Sequence, residues 1–248
     1  MTGDSNGRLD HFGAWAAWRD DLYERGGSRG GKVRTCWELA QSGKPLVTAG
    51  ARHSPQVGIV AGIAATLGVP CRVHVPAGGT TPEIEAAAAH GAQVIRHRPG
   101  YNTVIVKRAA DDAQQRGWQL IPFGMEHQQA ITEMSTAAAW ALTHTQPDRL
   151  VVPVGSGMTL AGLLHGVPDS LPVLGVQVGA DPTKRLDRWA PTGWRDRVHI
   201  TQHPSDYSSP VQATLPNGDT LDPHYEAKCL EHVQPNDLLW IVGLRQTA

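Results

Sequence analysis

The sequence predicts an α/β fold built on parallel β-sheets. Between about residues 45 and 122, short β-branched runs alternate with alanine-rich helical runs, and a second alternation extends from about 127 to 178. Such an alternation indicates parallel strands joined by right-handed helical crossovers. With 248 residues, 40% of them hydrophobic, the chain is long enough to bury the core of one or two domains.

The first alternation predicts a small parallel sheet. Its first helix covers residues 55–67, with Ser54 as the N-cap and Pro55 at the first helical position. The following helices end at glycines, which commonly terminate helices. The remaining elements of this set are helices 81–90 and 103–116 and strands 46–48, 72–75, 93–95 and 119–121.

The second alternation predicts helix 127–144 and strand 149–154, which leads into a glycine-rich turn and a helix from Thr159. Residues 181–223 show no clear period, although Asn217-Gly218 predicts a tight hairpin turn. The other elements expected in this part are strand 173–178, a short helix at 225–232 and a last strand at 238–242.

Composition narrows the functional classes. The formal net charge is −1 and no block of Lys and Arg is present, so nucleic-acid binding receives no support. Three scattered cysteines without a CxxC pair indicate reduced thiols in a cytoplasmic protein. The polar N-terminus lacks the apolar core of a signal peptide, and no apolar run approaches the roughly 20 residues of a membrane span. The twelve histidines form no metal-binding motif.

Two glycine-rich turns carry the chemistry. Lys32 follows one of them, in Gly-Gly-Ser-Arg-Gly-Gly-Lys, and its amine can form an imine. The other, Gly155-Ser156-Gly157, lies between a strand and a helix, where unpaired N–H groups and the helix dipole favour an anion. Each signal alone is weak, because most lysines are solvated and glycine-rich turns are common. Pyridoxal 5'-phosphate needs both an imine partner and an anion cradle.

The chain resembles the fold-type II pyridoxal-phosphate enzymes of the tryptophan synthase beta-like superfamily. It is most similar to the branch of D-cysteine desulfhydrase and aminocyclopropane-carboxylate deaminase. Six segments from about residue 17 to 243 resemble motifs of that branch in the same order. They are Arg19 to Arg34, Thr48 to Gln56, Ala61 to Pro76, Ile121 to Gly124, Val151 to Gly162 and Leu221 to Lys228.

The resemblance implies two open, three-layer parallel-sheet domains, shortened at both ends. The large cofactor-binding domain would comprise residues 1–44 and 124–248, and the small domain residues 45–123. Pyridoxal 5'-phosphate is the implied cofactor, and a homodimer is the implied assembly.

The resemblance also implies residue roles. Lys32 would hold the cofactor covalently and move the Cα proton, and Glu226 would face the pyridine nitrogen. Tyr225 would be a second acid/base group, and Ser54 would also be a catalytic residue. Ser54, Gln56 and Tyr225 would bind the substrate. No metal ligand is implied. The phosphate would lie on Gly155, Ser156, Gly157, Met158 and Thr159.

Two positions depart from the family pattern. Gly31 stands where the family has an asparagine before the lysine, and Pro55 stands where it has an asparagine after the serine. Proline also lacks an N–H donor. The cofactor cradle is therefore kept while the substrate side is changed, so that catalysis would be either redirected or lost.

Three functions follow from these features. The first is an enzyme acting at Cα of an amino acid, by β-elimination, deamination, racemisation or decarboxylation. The second is a catalytically degenerate relative that only binds the cofactor. The third is an enzyme whose amino-acid moiety is carried on a larger substrate such as a modified nucleobase. An α/β-hydrolase is disfavoured because no GxSxG motif is present.

Overall fold

The computed structural model describes residues 7–98, 102–205, 207 and 209–243. Contacts divide the described chain into two compact units. The first unit contains residues 7–23 and 130–243 apart from 206 and 208, and the second contains residues 24–129 apart from 99–101. No described helix is long and apolar enough to cross a membrane.

The strands and helices follow one another along the chain in the predicted alternating manner. The twelve strands of the described chain are β1 (Arg8–Phe12), β2 (Trp15–Arg19), β3 (Glu24–Arg25), β4 (Ser28–Arg29), β5 (Leu46–Ala49), β6 (Cys71–Pro76), β7 (Gln93–His97), β8 (Gln119–Ile121), β9 (Arg149–Val154), β10 (Val173–Gln177), β11 (Val198–Gln202) and β12 (Asp237–Ile241). The α-helices described are α1 (Lys32–Ala40), α2 (Gln56–Thr66), α3 (Pro82–Ala89), α4 (Asn102–Arg116), α5 (Gln128–Leu142), α6 (Met158–Gly166) and α7 (Thr183–Trp189).

The first unit is built on a six-stranded sheet of order β1-β2-β12-β9-β10-β11. Only β1 is antiparallel to its neighbour; the other pairs are parallel. On one face, the rings of Trp18 and Trp240 pack at a tilt with centroids 5.6 Å apart, and Trp18 meets Trp140 of α5 edge-on. On the other face, the 213–230 segment packs against strand residues such as Val151 and Ile241. Burial on both faces is typical of parallel sheets.

The second unit is built on a four-stranded parallel sheet of order β7-β6-β5-β8. Alternate residues of β5 point to opposite faces. Val47 and Ala49 pack against Ile105 and Ala109 of α4. Thr48 points the other way and bonds to Gln56 at the start of α2. Helices therefore cover both faces, and the predicted α/β class with parallel sheets is confirmed.

Most predicted elements are found within one or two residues of their expected limits. The helix predicted at 225–232 is wrong: two 3-10 turns occupy Glu226–Lys228 and Leu230–His232. Tyr225 lies outside helical geometry (φ −125°, ψ −92°), so no continuous helix starts there. The elements that the sequence did not predict are β1, β2, β3, β4, α1, α7 and β11.

The contact-based division differs from the predicted domain limits at residues 24–44 and 124–129, which pack with the second unit. The Thr66 hydroxyl donates to the Gly26 carbonyl at 2.7 Å. Cys36 in α1 contacts Met125 with a sulfur–sulfur distance of 3.6 Å. These contacts hold α1 and its hairpin to α2 and the end of β8. The domain limits implied by the resemblance stay a prediction.

Candidate active site

The Gly155 turn lies at the carboxyl end of β9, in the first unit. Gly157 has φ +89°, and α6 starts at Met158, one residue earlier than predicted. A positive φ is readily adopted by glycine and strained for other residues. A Cβ on Gly157 would lie 3.0 Å from Cβ of Pro182. The turn therefore needs glycine there both for conformation and for space.

The start of α7 packs on this turn and adds a cation to it. Arg185 Nη1 donates to the carbonyl of Ser156 at 2.9 Å. No sequence pattern pointed to Arg185, because α7 lies in the stretch 181–223, which shows no clear period. Its guanidinium adds positive charge beside N–H groups that already favour an anion.

Tyr225 closes the other side of the turn. A Cβ on Gly155 would lie 2.8 Å from the Tyr225 hydroxyl, so glycine is required for this close approach. The ring of Tyr207 meets that of Tyr225 edge-on, with centroids 5.5 Å apart. Within the first unit, the structure therefore brings Tyr225 next to the predicted phosphate turn.

Glu226 follows Tyr225 and is completely buried. Its Oε1 accepts the N–H groups of Val242 and Gly243 at 2.9 and 3.2 Å, just after β12 ends. Its Oε2 has no hydrogen-bond partner among the described residues. Burial, with the nearby charge of Asp222, raises the pKa of Glu226 to about 8 despite those backbone hydrogen bonds. Such an oxygen fits a ligand that brings a polar nitrogen.

Lys32 is the first residue of α1, in the second unit. The preceding glycines form a hairpin between β3 and β4, in which Gly26 and Gly27 both have positive φ (+58° and +68°). This geometry fits a two-residue hairpin turn that favours glycine at both central positions. Gly30, at φ +111°, then redirects the chain so that the helix begins at a half-buried Lys32.

Cys36 lies one helical turn after Lys32 and is buried. Burial raises the pKa of the Cys36 thiol to about 12, although the Lys32 charge acts in the opposite direction. Cys71 and Cys229 are also free and buried. A protonated, buried thiol is a poor nucleophile, so these residues pack rather than react. In the part of the chain described, no cluster of three or more His, Cys, Asp or Glu could hold a metal ion.

Ser54 and Gln56 lie at the start of α2 in the second unit. Ser54 is half-buried and its Oγ accepts the Gln56 N–H at 3.4 Å. The Gln56 side chain is buried, and its carboxamide nitrogen donates to Thr48 and to the Pro122 carbonyl at 2.9 Å each. Its oxygen accepts the Gly124 N–H at 3.1 Å. Gln56 thus uses its side chain to hold the 122–124 segment, and its substrate contact stays a prediction.

The predicted site residues are therefore divided between the two units. The first unit brings together Tyr225, its neighbour Glu226 and the turn 155–159. The second unit carries Lys32 at the start of α1 and Ser54 and Gln56 around the start of α2. The predicted roles of all these residues stay predictions.

Solved structures of similar fold support this architecture. A structure described as an ACC deaminase homologue has a TM-score of 0.79 and 20% identity, covering 93% of this chain and 85% of that one. The processed form of threonine deaminase isoform 2 from Solanum lycopersicum has a TM-score of 0.70 and 13% identity, covering 98% and 80%. Diaminopropionate ammonia lyase of Escherichia coli has a TM-score of 0.69 and 14% identity, covering 99% and 84%. At these identities the likeness establishes the fold. No curated protein matches the chain in sequence at a significant level.

The family model of pyridoxal-phosphate dependent enzymes matches residues 33–217, about three quarters of the chain. The chain belongs to this family, and its cofactor is pyridoxal 5'-phosphate. The matched range includes the Gly155 turn. It begins one residue after Lys32 and ends before Tyr225 and Glu226.

Proposed function

We propose that the chain catalyses a reaction at Cα of an amino-acid substrate, by β-elimination, deamination, racemisation or decarboxylation. The observation that carries the proposal is Glu226, a buried carboxyl group with one oxygen unpartnered among the described residues, next to a tyrosine that packs on the phosphate turn. This arrangement suits a ligand with an anionic tail and a ring nitrogen. The family's cofactor, when bound, supplies an electron sink for the carbanion formed at Cα.

The residues of the first unit fit the two ends of that cofactor. The N–H groups of the Gly155 turn hold the phosphate, and Arg185 increases the positive potential there. Glu226 carries a proton near neutral pH, because burial raises its pKa to about 8. Glu226 donates this proton from Oε2 to a ring nitrogen, and the buried carboxylate that results then has a cationic partner.

The second unit supplies the groups that act on the substrate. The Lys32 amine binds the cofactor and then removes or returns the Cα proton. Ser54, two residues before α2 begins at Gln56, binds the substrate carboxylate, because a helix N-terminus favours an anion. Gln56 acts here as a positioning residue, since its buried carboxamide connects β5 to the 122–124 segment. Tyr225 of the first unit is a second acid/base group.

Borohydride reduction followed by peptide mapping tests the role of Lys32. Purified protein incubated with the cofactor should be yellow, and reduction should fix the label on the peptide that contains Lys32. Lys32→Ala should lose the visible band, whereas Lys44→Ala, which changes an exposed lysine of the same unit, should retain it. A label on another lysine, or a colourless wild type with added cofactor, would overturn the proposal.

Incubation of the cofactor-loaded protein with a panel of amino acids distinguishes an enzyme from a protein that only binds the cofactor. Gly31 and Pro55, which replace two asparagines of the family pattern, favour the degenerate relative as a second candidate. Addition of D- and L-amino acids to the yellow protein should change its spectrum and release product from at least one of them. A spectrum that no amino acid changes would favour the degenerate relative.

A further inference from the structure

A cleft of about 340 Å³ opens in the first unit at the carboxyl ends of β10 and β11. Ligands of open parallel sheets bind at the carboxyl ends of the strands. The volume lies at the lower end of the range for small-molecule pockets, roughly 300 to 1,000 Å³. The cleft therefore has room for a substituent of amino-acid size.

The cleft shares a wall with the phosphate turn. Gly179 lines the cleft, and a Cβ on it would lie 3.5 Å from Cα of Gly155. Tyr207 also lines the cleft and contacts the Tyr225 ring, whose hydroxyl packs on Gly155. Two separate contacts thus place this cleft directly beside the turn that is predicted to bind the cofactor phosphate.

Two carboxamides dominate the lining. Gln177 and Gln202 end β10 and β11 and are partners in the parallel register, so their side chains lie on the same face of the sheet. Gln177 Nε2 donates to the Gly179 carbonyl at 3.1 Å, and its Oε1 makes no hydrogen bond to the described residues. Gln202 is exposed and its carboxamide makes no hydrogen bond within the described chain, so its donors and its acceptor are accessible to a ligand.

The remaining polar lining is neutral or already engaged. His203 Nδ1 lies 3.0 Å from the Ser205 nitrogen and 3.3 Å from the Ser205 carbonyl oxygen, and its Nε2 lies 3.2 Å from Glu231, so both ring nitrogens are engaged. The lining described contains no carboxylate, ammonium or guanidinium group. An apolar substituent here would leave the Gln177 carboxamide oxygen without a hydrogen-bond partner.

We propose that this cleft binds the side chain of the substrate and selects a hydrogen-bonding group such as a carboxamide or a hydroxyl. Gln202 and Gln177 recognise this group through hydrogen bonds from their carboxamides. The inference rests on the proposed function, and it specifies the substrate class of the same site. A carboxamide pairs with another carboxamide through both a donor and an acceptor, which an isosteric apolar group cannot do.

Spectral titration of the cofactor-loaded protein tests this selectivity. Two pairs of similar shape are compared: glutamine with methionine, and asparagine with leucine. For each amino acid, the titration measures the concentration that gives half of the maximal change in the visible spectrum. Wild type should favour the amide of each pair by about fivefold, the equivalent of roughly one net hydrogen bond to the half-buried Gln177 carboxamide. Gln202→Leu should bring the ratio close to one and leave the cofactor band intact. Gln146→Leu, which changes an exposed glutamine of the same unit, should keep the wild-type ratio.

Ligand-observed NMR gives a readout independent of the reaction. Saturation transfer from the protein to the side-chain protons of glutamine should be strong with wild type and Gln146→Leu and weak with Gln202→Leu. The cleft's role alone is overturned if the yellow protein binds the amide and the apolar amino acid of each pair equally well. It is also overturned if Gln202→Leu keeps the wild-type ratio of the two affinities. Wild type that never takes up the cofactor overturns the proposed function and the cleft's role with it.

Discussion

At the scale of single residues, Glu226 is a buried carboxyl group that a ligand could stabilise by a hydrogen bond. One of its oxygens accepts two backbone N–H groups and the other has no hydrogen-bond partner in the described structure. A fully buried carboxylate without a counter-ion is costly, so burial raises the pKa to about 8. The residue is thus unfavourable for the stability of the cofactor-free protein at neutral pH, and this cost is consistent with a functional role.

The pH dependence of stability should reveal this cost. The folded-state pKa of Glu226 lies above its usual value of 4.5, so its favourable contribution is complete below pH 4.5 and is lost as pH rises towards 8. Cofactor-free Glu226→Gln removes this titration. Its free energy of unfolding relative to wild type should increase by about 3 kcal/mol between pH 4.5 and pH 7. Urea denaturation at both pH values measures the difference, and a difference independent of pH would contradict the assignment.

At the scale of elements, the Gly155 turn depends on backbone conformation and on its two packed sides. Gly157 has φ +89° and lies against Pro182, while Gly218 has φ +90° with open space around it. Comparison of Gly157 with Gly218 separates the strain that an added Cβ causes at a positive φ from the clash that it causes with neighbouring atoms. Both residues belong to the first unit, so the same unfolding reaction reports on them.

Alanine substitutions at these glycines should differ in their effect on the cofactor. Gly218→Ala should cost about 1 kcal/mol through backbone strain alone. Gly157→Ala should cost more, about 2 to 3 kcal/mol, and should weaken cofactor binding at least tenfold, because the added Cβ displaces the turn from Pro182. Urea denaturation and cofactor titration measure the two effects. Equal losses of cofactor affinity in the two variants would exclude a specific role for the turn.

A chain of hydrogen bonds joins β6, β7 and α4 in the second unit. His74 Nε2 lies 3.0 Å from Asp112, and its Nδ1 lies 2.8 Å from His97 Nε2. Arg108 donates to His97 Nδ1 at 3.0 Å. Burial opposes ionisation of Asp112, but hydrogen bonds from Arg116, Arg72 and His74 outweigh it and lower the Asp112 pKa to about 2. With an ionised Asp112, each link has one donor and one acceptor only if both imidazoles are neutral.

Acid should therefore weaken the second unit. Burial lowers the pKa of both His74 and His97 below the usual 6.5, and the Arg72, Arg108 and Arg116 charges act in the same direction. The stability from this chain is present above pH 6.5 and is lost as pH falls towards the folded-state pKa values. The loss of stability between pH 7 and pH 5 should be smaller in His97→Gln than in wild type, because the variant lacks one of the two titrating imidazoles. His53→Gln, an exposed control, should behave as wild type in denaturation at the two pH values.

At the scale of the whole molecule, Arg19 joins parts of the first unit that are far apart in sequence. Its guanidinium is almost fully buried and bonds to Asp21 through two nitrogens at 2.9 Å each. It also bonds to Asp10 of β1 at 3.0 Å and to Asp219 at 2.6 Å. The predicted Asn217-Gly218 turn, which the structure confirms with φ +90° at Gly218, positions Asp219 for this contact.

Removal of this cation should destabilise the first unit. Arg19→Met leaves the buried Asp21 without its counter-ion, and we expect a loss of about 3 kcal/mol or more in the free energy of unfolding. Arg8→Met removes an exposed partner of the same Asp10 and should cost at most about 1 kcal/mol. Urea denaturation of the two variants measures the contrast, and similar losses would contradict a structural role for the buried network.

By itself, the sequence determined the alternating α/β order and the parallel sheets, which follow from local strand and helix periods. It also indicated the cofactor, through the Lys32 and Gly155 turns together with the ordered resemblance of six segments to a known family. Only the tertiary structure located α7 and β11, the contact of Arg185 with Ser156, the engaged Gln56 carboxamide and the Gln177–Gln202 pair. Each of these depends on groups that are far apart in sequence, and such pairings leave no period in the chain that a reader of the sequence could detect.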